Sequence, residues 1–480
     1  MAKVVYPPRM QQRILASEAP GGEPASVALV APTVAVPGEP VRLTVAATDA
    51  DGYPSLACDG VVRIRGPLEP AGAVEVPFRA GEPAVARVEG VALRGTGLVR
   101  LEALLAGRTW PSNPVCLREH PAERIYWGDP HVHTVLSRCH PERCRSVPFA
   151  YTAARCFAGL DWVSATDHVS NGRCDLGAWK EEASASEAHD DPPEFATLPG
   201  YEASLKGGAG GDTNVYMRRW PAMFVDEYES GDVRTLCAKL AETLGDDFFV
   251  VPHHTTRTGK HGEIPDAIYP GPDLMPVIEI HSKWGTSEYR GNPDPLHQVH
   301  PGPSYAADLL ARGLRLGFIG GTDTHATMPA GFGREPLDRL PGLTAVRATR
   351  LHRDAVFDAI RARRCYATSL ERIYLDVHVA GAAMGETHVW SEAPGPRRIE
   401  VTAAASSDLE TLEVVRNGKT VHTDRPTAWR GSVAWEDEEP LERPALDSPH
   451  LGRFVYYYVR ATCTSGARAW SSPVWLVEQR

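Results

Sequence analysis

Imidazole is concentrated in the middle of this chain, in short polar clusters that each follow an apolar β-type run. In order these are Asp129-Pro-His-Val-His-Thr134, Thr166-Asp-His168, Tyr201-Glu202, Pro252-His-His254, His281-Ser282 and Thr322-Asp-Thr-His325. Twelve of the 18 histidines lie between His131 and His325, where even spreading over the chain would place about seven. The runs before them, Arg124–Trp127, Leu160–Ala165, Ala196–Leu198, Phe248–Val251, Val277–Ile280 and Leu316–Ile319, are strand candidates. Polar groups at the carboxyl ends of successive parallel strands converge on one face, where α/β barrels carry their active sites.

The stretches between these runs have helical spacing. Val233, Leu236, Cys237, Leu240, Ala241 and Leu244 form one apolar stripe, and Phe149, Ala150, Ala153, Ala154 and Phe157 another. Such alternation predicts an α/β unit, built as a mostly parallel sheet or a barrel. Both ends of the chain read differently. Ser26-Val-Ala-Leu-Val-Ala, Val41-Arg-Leu-Thr-Val and Phe454-Val-Tyr-Tyr-Tyr-Val are short β-type runs separated by Gly and Pro signals, the texture of β-sandwiches. The expected organisation is an extension over 1–25, a β-sandwich over 26–120, the catalytic unit over 121–372 and a second β-sandwich over 373–480.

On a strand, His131 and His133 point the same way, and Asp323 and His325 repeat that spacing. His168, Glu202 and His253 or His254 add further donors. Imidazole with carboxylate suits zinc, manganese or iron. At least seven donors exceed what one tetrahedral ion uses, so two or three divalent ions are expected, with Glu202 bridging them. Ions so arranged supply a bridging hydroxide and suit hydrolysis, especially of phosphate esters.

The motifs His131-Val-His133, Thr166-Asp-His168, Gly200-Tyr-Glu202, Pro252-His-His254 and Asp323-Thr-His325 resemble those of the PHP (polymerase and histidinol phosphatase) superfamily. Trp127-Gly-Asp-Pro-His-Val-His-Thr, Asn214-Val-Tyr, Glu279-Ile-His-Ser, Gly285-Thr-Ser-Glu and Cys365-Tyr-Ala-Thr-Ser resemble a bacterial PHP-like subfamily. The likeness covers about residues 124–375. It implies a distorted (β/α)7 barrel flanked by the two sandwiches, up to three metal ions and phosphoesterase activity. It also adds ligand candidates: Asp212 where relatives carry a histidine, and His140, preferred over Cys139 as a donor for a hard ion. His168, His254 or His281 is expected to protonate the leaving group, being the side-chain type that titrates near neutrality.

A small anionic substrate is expected to meet Arg257, Lys260, Lys283 and Arg334, which follow the strand-end clusters, while Trp284 and Tyr305 are expected to pack. Acidic residues outnumber basic ones, 61 to 50, for a formal charge of −11, which argues against a nucleic-acid surface. No apolar run approaches the ~20 residues that span a bilayer, and nine cysteines without a C-x-x-C pair suggest reduced thiols in the cytoplasm. Oligomeric state is left open. Two other readings compete: hydrolysis of a C–N or other non-phosphorus bond by the same ions, and a non-catalytic metal-stabilised scaffold that binds glycans or protein.

Overall fold

The computed structural model describes residues 2–205, 210–226, 231–258, 263–297, 299, 302–331, 340–369, 371–390 and 395–479. Among them the chain is built mostly of β-sheet, with six α-helices. Near the N-terminus, antiparallel sheets of five and four strands share a core of Leu43, Val45, Val62, Ile64, Val76 and Leu101. The first 25 residues are integrated rather than loose. Lys3–Val5 pairs with Val85–Leu93, and the helix Arg9–Glu18 buries Leu15 in a cluster with Phe149 and Ala153.

Both apolar stripes are helical. Val233–Leu244 starts on Asp232, whose side chain accepts from the Thr235 N–H at 2.8 Å, and it buries Val233, Leu236, Cys237 and Leu240. Ala241 is exposed, so that buried face is narrower than the spacing implies. Ser146 caps Val147–Thr152, which continues into a wider π turn, Ala153–Phe157, keeping Phe149, Ala150, Ala153, Ala154 and Phe157 inside.

The central strands depart from strict β/α alternation, and the described ladders do not amount to a closed (β/α)7 barrel. Arg124–Val132, Trp162–Ala165 and Ala196–Thr197 pair in parallel, as do Val277–Ser282 and Gly317–Gly320. After Gly200–Ser204, however, the chain returns as the antiparallel strand Asp212–Met217, which then pairs antiparallel with Phe248–Pro252. A hairpin replaces one expected crossover. On its other edge Arg124–Val132 meets the antiparallel strand Gly342–Ala348. From there one twelve-stranded sheet continues through Cys365–Ser369 and Arg468–Ser471 into Gly452–Cys463 and Leu409–Arg416. Hydrogen bonding therefore runs straight through the expected boundary at 372/373. Asp376 sits at this junction, bonded to Arg347 at 2.8 Å and Arg118 at 2.9 Å.

Candidate metal centre

Asp129 stitches the two ends of the central region together. Its carboxylate accepts from the Thr322 N–H (3.0 Å), the Thr322 hydroxyl (2.7 Å), the Ala330 N–H (3.1 Å) and the His131 N–H (3.2 Å). Burial pushes its carboxyl up to about 6, despite these donors. Beside it, the Asp323 N–H donates to the His131 carbonyl (2.8 Å) and the His133 N–H to the Thr324 carbonyl (3.1 Å). These bonds set the H-x-H and D-x-H segments side by side. The close approach leaves no room at Gly321, where a Cβ would lie 2.7 Å from the His131 Cβ and 2.8 Å from Glu279 Oε2.

The hydrogen-bond partners determine both tautomers. The Glu279 carboxylate can only accept, so His131 Nδ1 carries the proton it donates to Oε2 at 2.9 Å. Ser137 donates its hydroxyl proton to Asp167, so its oxygen accepts from His133 Nδ1–H at 2.9 Å. Each Nε2 is left to face the cluster, the two 3.2 Å apart, and in the neutral imidazole it offers a lone pair to a metal. Glu202 Oε2 lies 3.4 and 3.2 Å from them, and Asp323 Oδ1 3.4 and 3.1 Å. Against the effect of burial, the surrounding carboxylates raise the pKa of both imidazoles, that of His133 to about 10, so the site favours positive charge between these groups, which a cation can supply in place of the protons. His131, His133 and Asp323 form one group whose ligand atoms are close enough to share an ion, and His131 and Glu202 belong to another with His253. The donor set fits a metal ion.

Glu202 extends the cluster in two directions. Its Oε2 is also 3.3 Å from His168 Nδ1, and its Oε1 is 3.5 Å from His253 Nε2. Burial alone would push its carboxyl up, but the imidazoles of His168 and His253, together with the contacts to His131 and His133, hold it well below the usual carboxylate range. Asp323 is held down the same way by His131 and His133 against its burial, and its Oδ2 meets His254 Nε2 at 3.3 Å. Four overlapping groups have ligand atoms close enough to share an ion: His131/His133/Asp323, His131/Glu202/His253, His253/His254/Asp323 and His133/His168/His325. Beside them is a cavity of about 180 Å³ lined by His168, Glu202, His253, His254, Asp323 and His325, together with Cys139, His140, Arg173, Asp212, Arg257 and Trp284.

The remaining sequence candidates divide clearly. His140 lines the cavity with its ring 5.1 Å from that of His325, but its Nδ1 turns to Glu142 at 3.6 Å. Asp212 is buried at the wall. Arg257 stands over the Trp284 ring at 5.1 Å, so that indole is a wall of the site as well as packing. His281 is set apart: Nδ1 is bonded to Thr286 (2.8 Å), Nε2 to the Leu340 carbonyl (2.8 Å), and the ring stacks on Trp470. Lys283 is buried and absent from the cavity lining. Lys260 and Arg334 lie outside the described residues.

Residue reading assigned no role to Glu279, Ser137 and Asp167, which orient the ligand histidines, or to Arg173 in the cavity lining, and it set Cys139 below His140. A carboxylate two residues before His281 on an apolar strand was the available signal for Glu279. Cys139 lines the cavity beside His168 and His325.

No family model matches the chain. It is 26% identical over 391 residues to an uncharacterized protein of Chlamydia pneumoniae, covering 79% of this chain and 61% of that protein. It is 34% identical over 211 residues to an uncharacterized protein of Chlamydia muridarum, covering 42% of this chain and 34% of that one. The chain thus spans between one third and three fifths of the length of these relatives. Among solved structures it is similar to a two-domain protein from Bacteroides vulgatus containing a predicted PHP-like metal-dependent phosphoesterase, with a TM-score of 0.37 and 14% identity over 70% of this chain and 91% of that chain.

Proposed function

We propose that this chain is a metal-dependent hydrolase of a small phosphate mono- or diester. One observation carries the reading: a single buried carboxylate, Glu202, reaches four imidazoles, those of His131, His133, His168 and His253, within 3.5 Å. A structural metal site needs one closed shell of four donors; here the donors are shared and lie beside a cavity. We assign His131, His133, Glu202 and Asp323 to one divalent ion, His253 with Glu202 to a second, and His168 with His325 to a third, the metals being zinc, manganese or iron. Such ions supply Lewis acidity that makes a water acidic near neutral pH and neutralises charge developing on phosphorus oxygens.

The chain's own groups do the rest. Arg173 and Arg257 place two guanidinium groups in the cavity lining for an anionic substrate, and Trp284 offers a flat apolar wall. Of the three expected proton donors, His168 has its pKa lowered by burial, which suits a neutral ligand. His281 has both nitrogens engaged away from the cavity. His254 is left, with Nε2 facing Asp323 at the cavity wall, and we assign it the proton for the departing alkoxide. The parallel pairs, with the isolated parallel bridges Val132–Thr324 and His168–Glu202, support reading the central strands as an opened, distorted barrel. Nine free cysteines favour a reducing compartment such as the cytoplasm.

The test is a panel of phosphomonoesters, phosphodiesters and amides offered to metal-replete protein. Turnover of phosphoesters, lost together with bound metal in Glu202→Ala, is the expected result. Turnover of amides alone would move the assignment to C–N hydrolysis. Full metal content and full turnover in Glu202→Ala would overturn it.

A further inference from the structure

We infer that Arg42, Arg87 and Arg155 form a second binding site, between the N-terminal sandwich and the central region, for a small oxyanion, a phosphate or carboxylate group. They line a cavity of about 100 Å³ together with Thr44, Asp161 and Glu194, enough room for an ion of a few heavy atoms. The cavity lies at the opposite end of the central strands from the metal centre. Trp127, in its wall, stands four residues before His131 on Arg124–Val132, and Asp161 immediately precedes the strand Trp162–Ala165, which leads on to His168. Four residues of strand span about 13 Å, and the two cavities share no lining residue. The site is thus independent of the metal reading above.

Local structure brings the three guanidinium groups together. Arg87 on Val85–Leu93 is the ladder partner of Thr44 on Pro40–Thr48, and Arg42 lies on the same strand as Thr44. Arg155 comes from the π turn Ala153–Phe157. That turn can approach the sandwich because Gly159 follows it: a Cβ there would lie 3.0 Å from the Thr44 Cβ. Each nearby acid is already engaged. Glu194 pairs with Arg42 at 2.6 Å, Asp191 pairs with Arg155 at 2.5 Å, and Asp161 accepts from the Trp127 N–H at 2.8 Å and is attracted by Arg372. Arg87 is left with the Arg155 carbonyl at 3.3 Å and, among the described residues, forms no ion pair. Burial, with the like charges of Arg42 and Arg155, holds its pKa below the usual arginine value. A second cavity of about 230 Å³, walled by Tyr6 and Gln11, also reaches Arg87 and Arg155. A partly buried guanidinium without a counter-charge is costly, and its fork of donors matches the paired oxygens of a phosphate or carboxylate. An oxyanion bound here joins the sandwich, through Arg42 and Arg87, to the central region, through Arg155.

Isothermal titration of the full chain as purified with inorganic phosphate, sulfate and acetate tests the site without an activity measurement. The wild type is expected to bind at least one of them saturably, with a dissociation constant in the millimolar range or below, and Arg87→Gln to weaken that binding about tenfold or more. Phosphate and sulfate bound in preference to acetate identify a phosphate-type ligand, and the reverse order a carboxylate; both outcomes support the site. Arg257→Gln, in the cavity of the metal centre, should leave this binding unchanged, which separates it from any anion held there. Should Arg87→Gln fail to fold, Arg87→Lys replaces it: charge and stem remain, the fork of donors is lost, and a weakening of about tenfold is again expected. Binding of none of the three anions, binding unchanged in the Arg87 variant, or binding lost in Arg257→Gln would overturn the second site and leave the hydrolase reading standing.

Discussion

Replacing Glu279 by Gln removes one charge, two bonds away from any ion, and keeps the side-chain volume. In the native site the Glu279 carboxylate fixes His131 as the Nδ1–H tautomer across 2.9 Å, and the two side chains are 1% and 0% exposed. A hydrogen bond to a charged group contributes about 1.5–3 kcal/mol and a neutral one about 0.5–1.5. The exchange therefore costs about 1–1.5 kcal/mol of His131 orientation, or about five- to tenfold in metal affinity. The amide can also turn its NH2 toward Nδ1, which favours the wrong tautomer and takes the lone pair away from Nε2. Loss of carboxylate partners behind metal-bound histidines typically weakens affinity about 10–100-fold, so with the tautomer effect added the expected drop is about tenfold, at the lower end of that interval. Competition of zinc against a chromophoric chelator at neutral pH gives the dissociation constant, and the melting temperature of the metal-free protein reports on the scaffold. A Glu279→Gln affinity within twofold of wild type, with the metal-free melting temperature unchanged, would refute the argument that this carboxylate sets the tautomer.

Other consequences follow from the same geometry. Gly321→Ala should cost about 1–3 kcal/mol, because the new methyl meets the backbone-anchored His131 Cβ at 2.7 Å, and elemental analysis should show less bound metal. Stripping the ions with a chelator should lower the melting temperature, and adding zinc at about 100 times its dissociation constant should restore about 2.7 kcal/mol. At the junction of the central and C-terminal strands, burial alone would raise the Asp376 carboxyl, but Arg347 and Arg118 hold it at about 2. Ionised Asp376 therefore contributes stability that is present above its unfolded pKa of about 3.9 and lost as pH falls toward 2. Because the Arg118 side chain is 48% exposed, the contribution is about 1–2 kcal/mol. Asp376→Asn should flatten the acid limb of a urea-denaturation series between pH 4 and 2; an unchanged slope would contradict the assignment. Leu310→Ala, at a fully buried position in the core beneath the helix Ala306–Ala311, should cost about 2–5 kcal/mol, measured by the same unfolding experiment.

What the sequence determined by itself was the inventory of the site and the local rules that group it. Residues two apart on a strand share a face, so His131 with His133 was legible as a pair, and Glu202 as a strand carboxylate; Asp323 and His325 reach the same cluster from outside a strand, Asp323 in the left-handed conformation, φ 51°. The 3.6-residue stripes at Val233–Leu244 and Val147–Phe157 were equally local. Tertiary structure decided the rest, wherever a single irregularity changes which way a side chain points. Glu279 and His281 share parity, yet the ladder shifts register between them, so Glu279 meets His131 while His281 turns to Trp470. The chain turns at the left-handed Arg138, and both Cys139 and His140 line the cavity beside His325. The hairpin Gly200–Met217 replaces a crossover helix because Asp212–Met217 finds its partner strand at once, and the C-terminal strands join the central sheet through Cys365–Ser369 and Arg468–Ser471. Periodicity says which face of a segment is apolar; it does not say which distant edge completes the segment's hydrogen bonds, because that choice depends on what else the folded chain leaves unpaired.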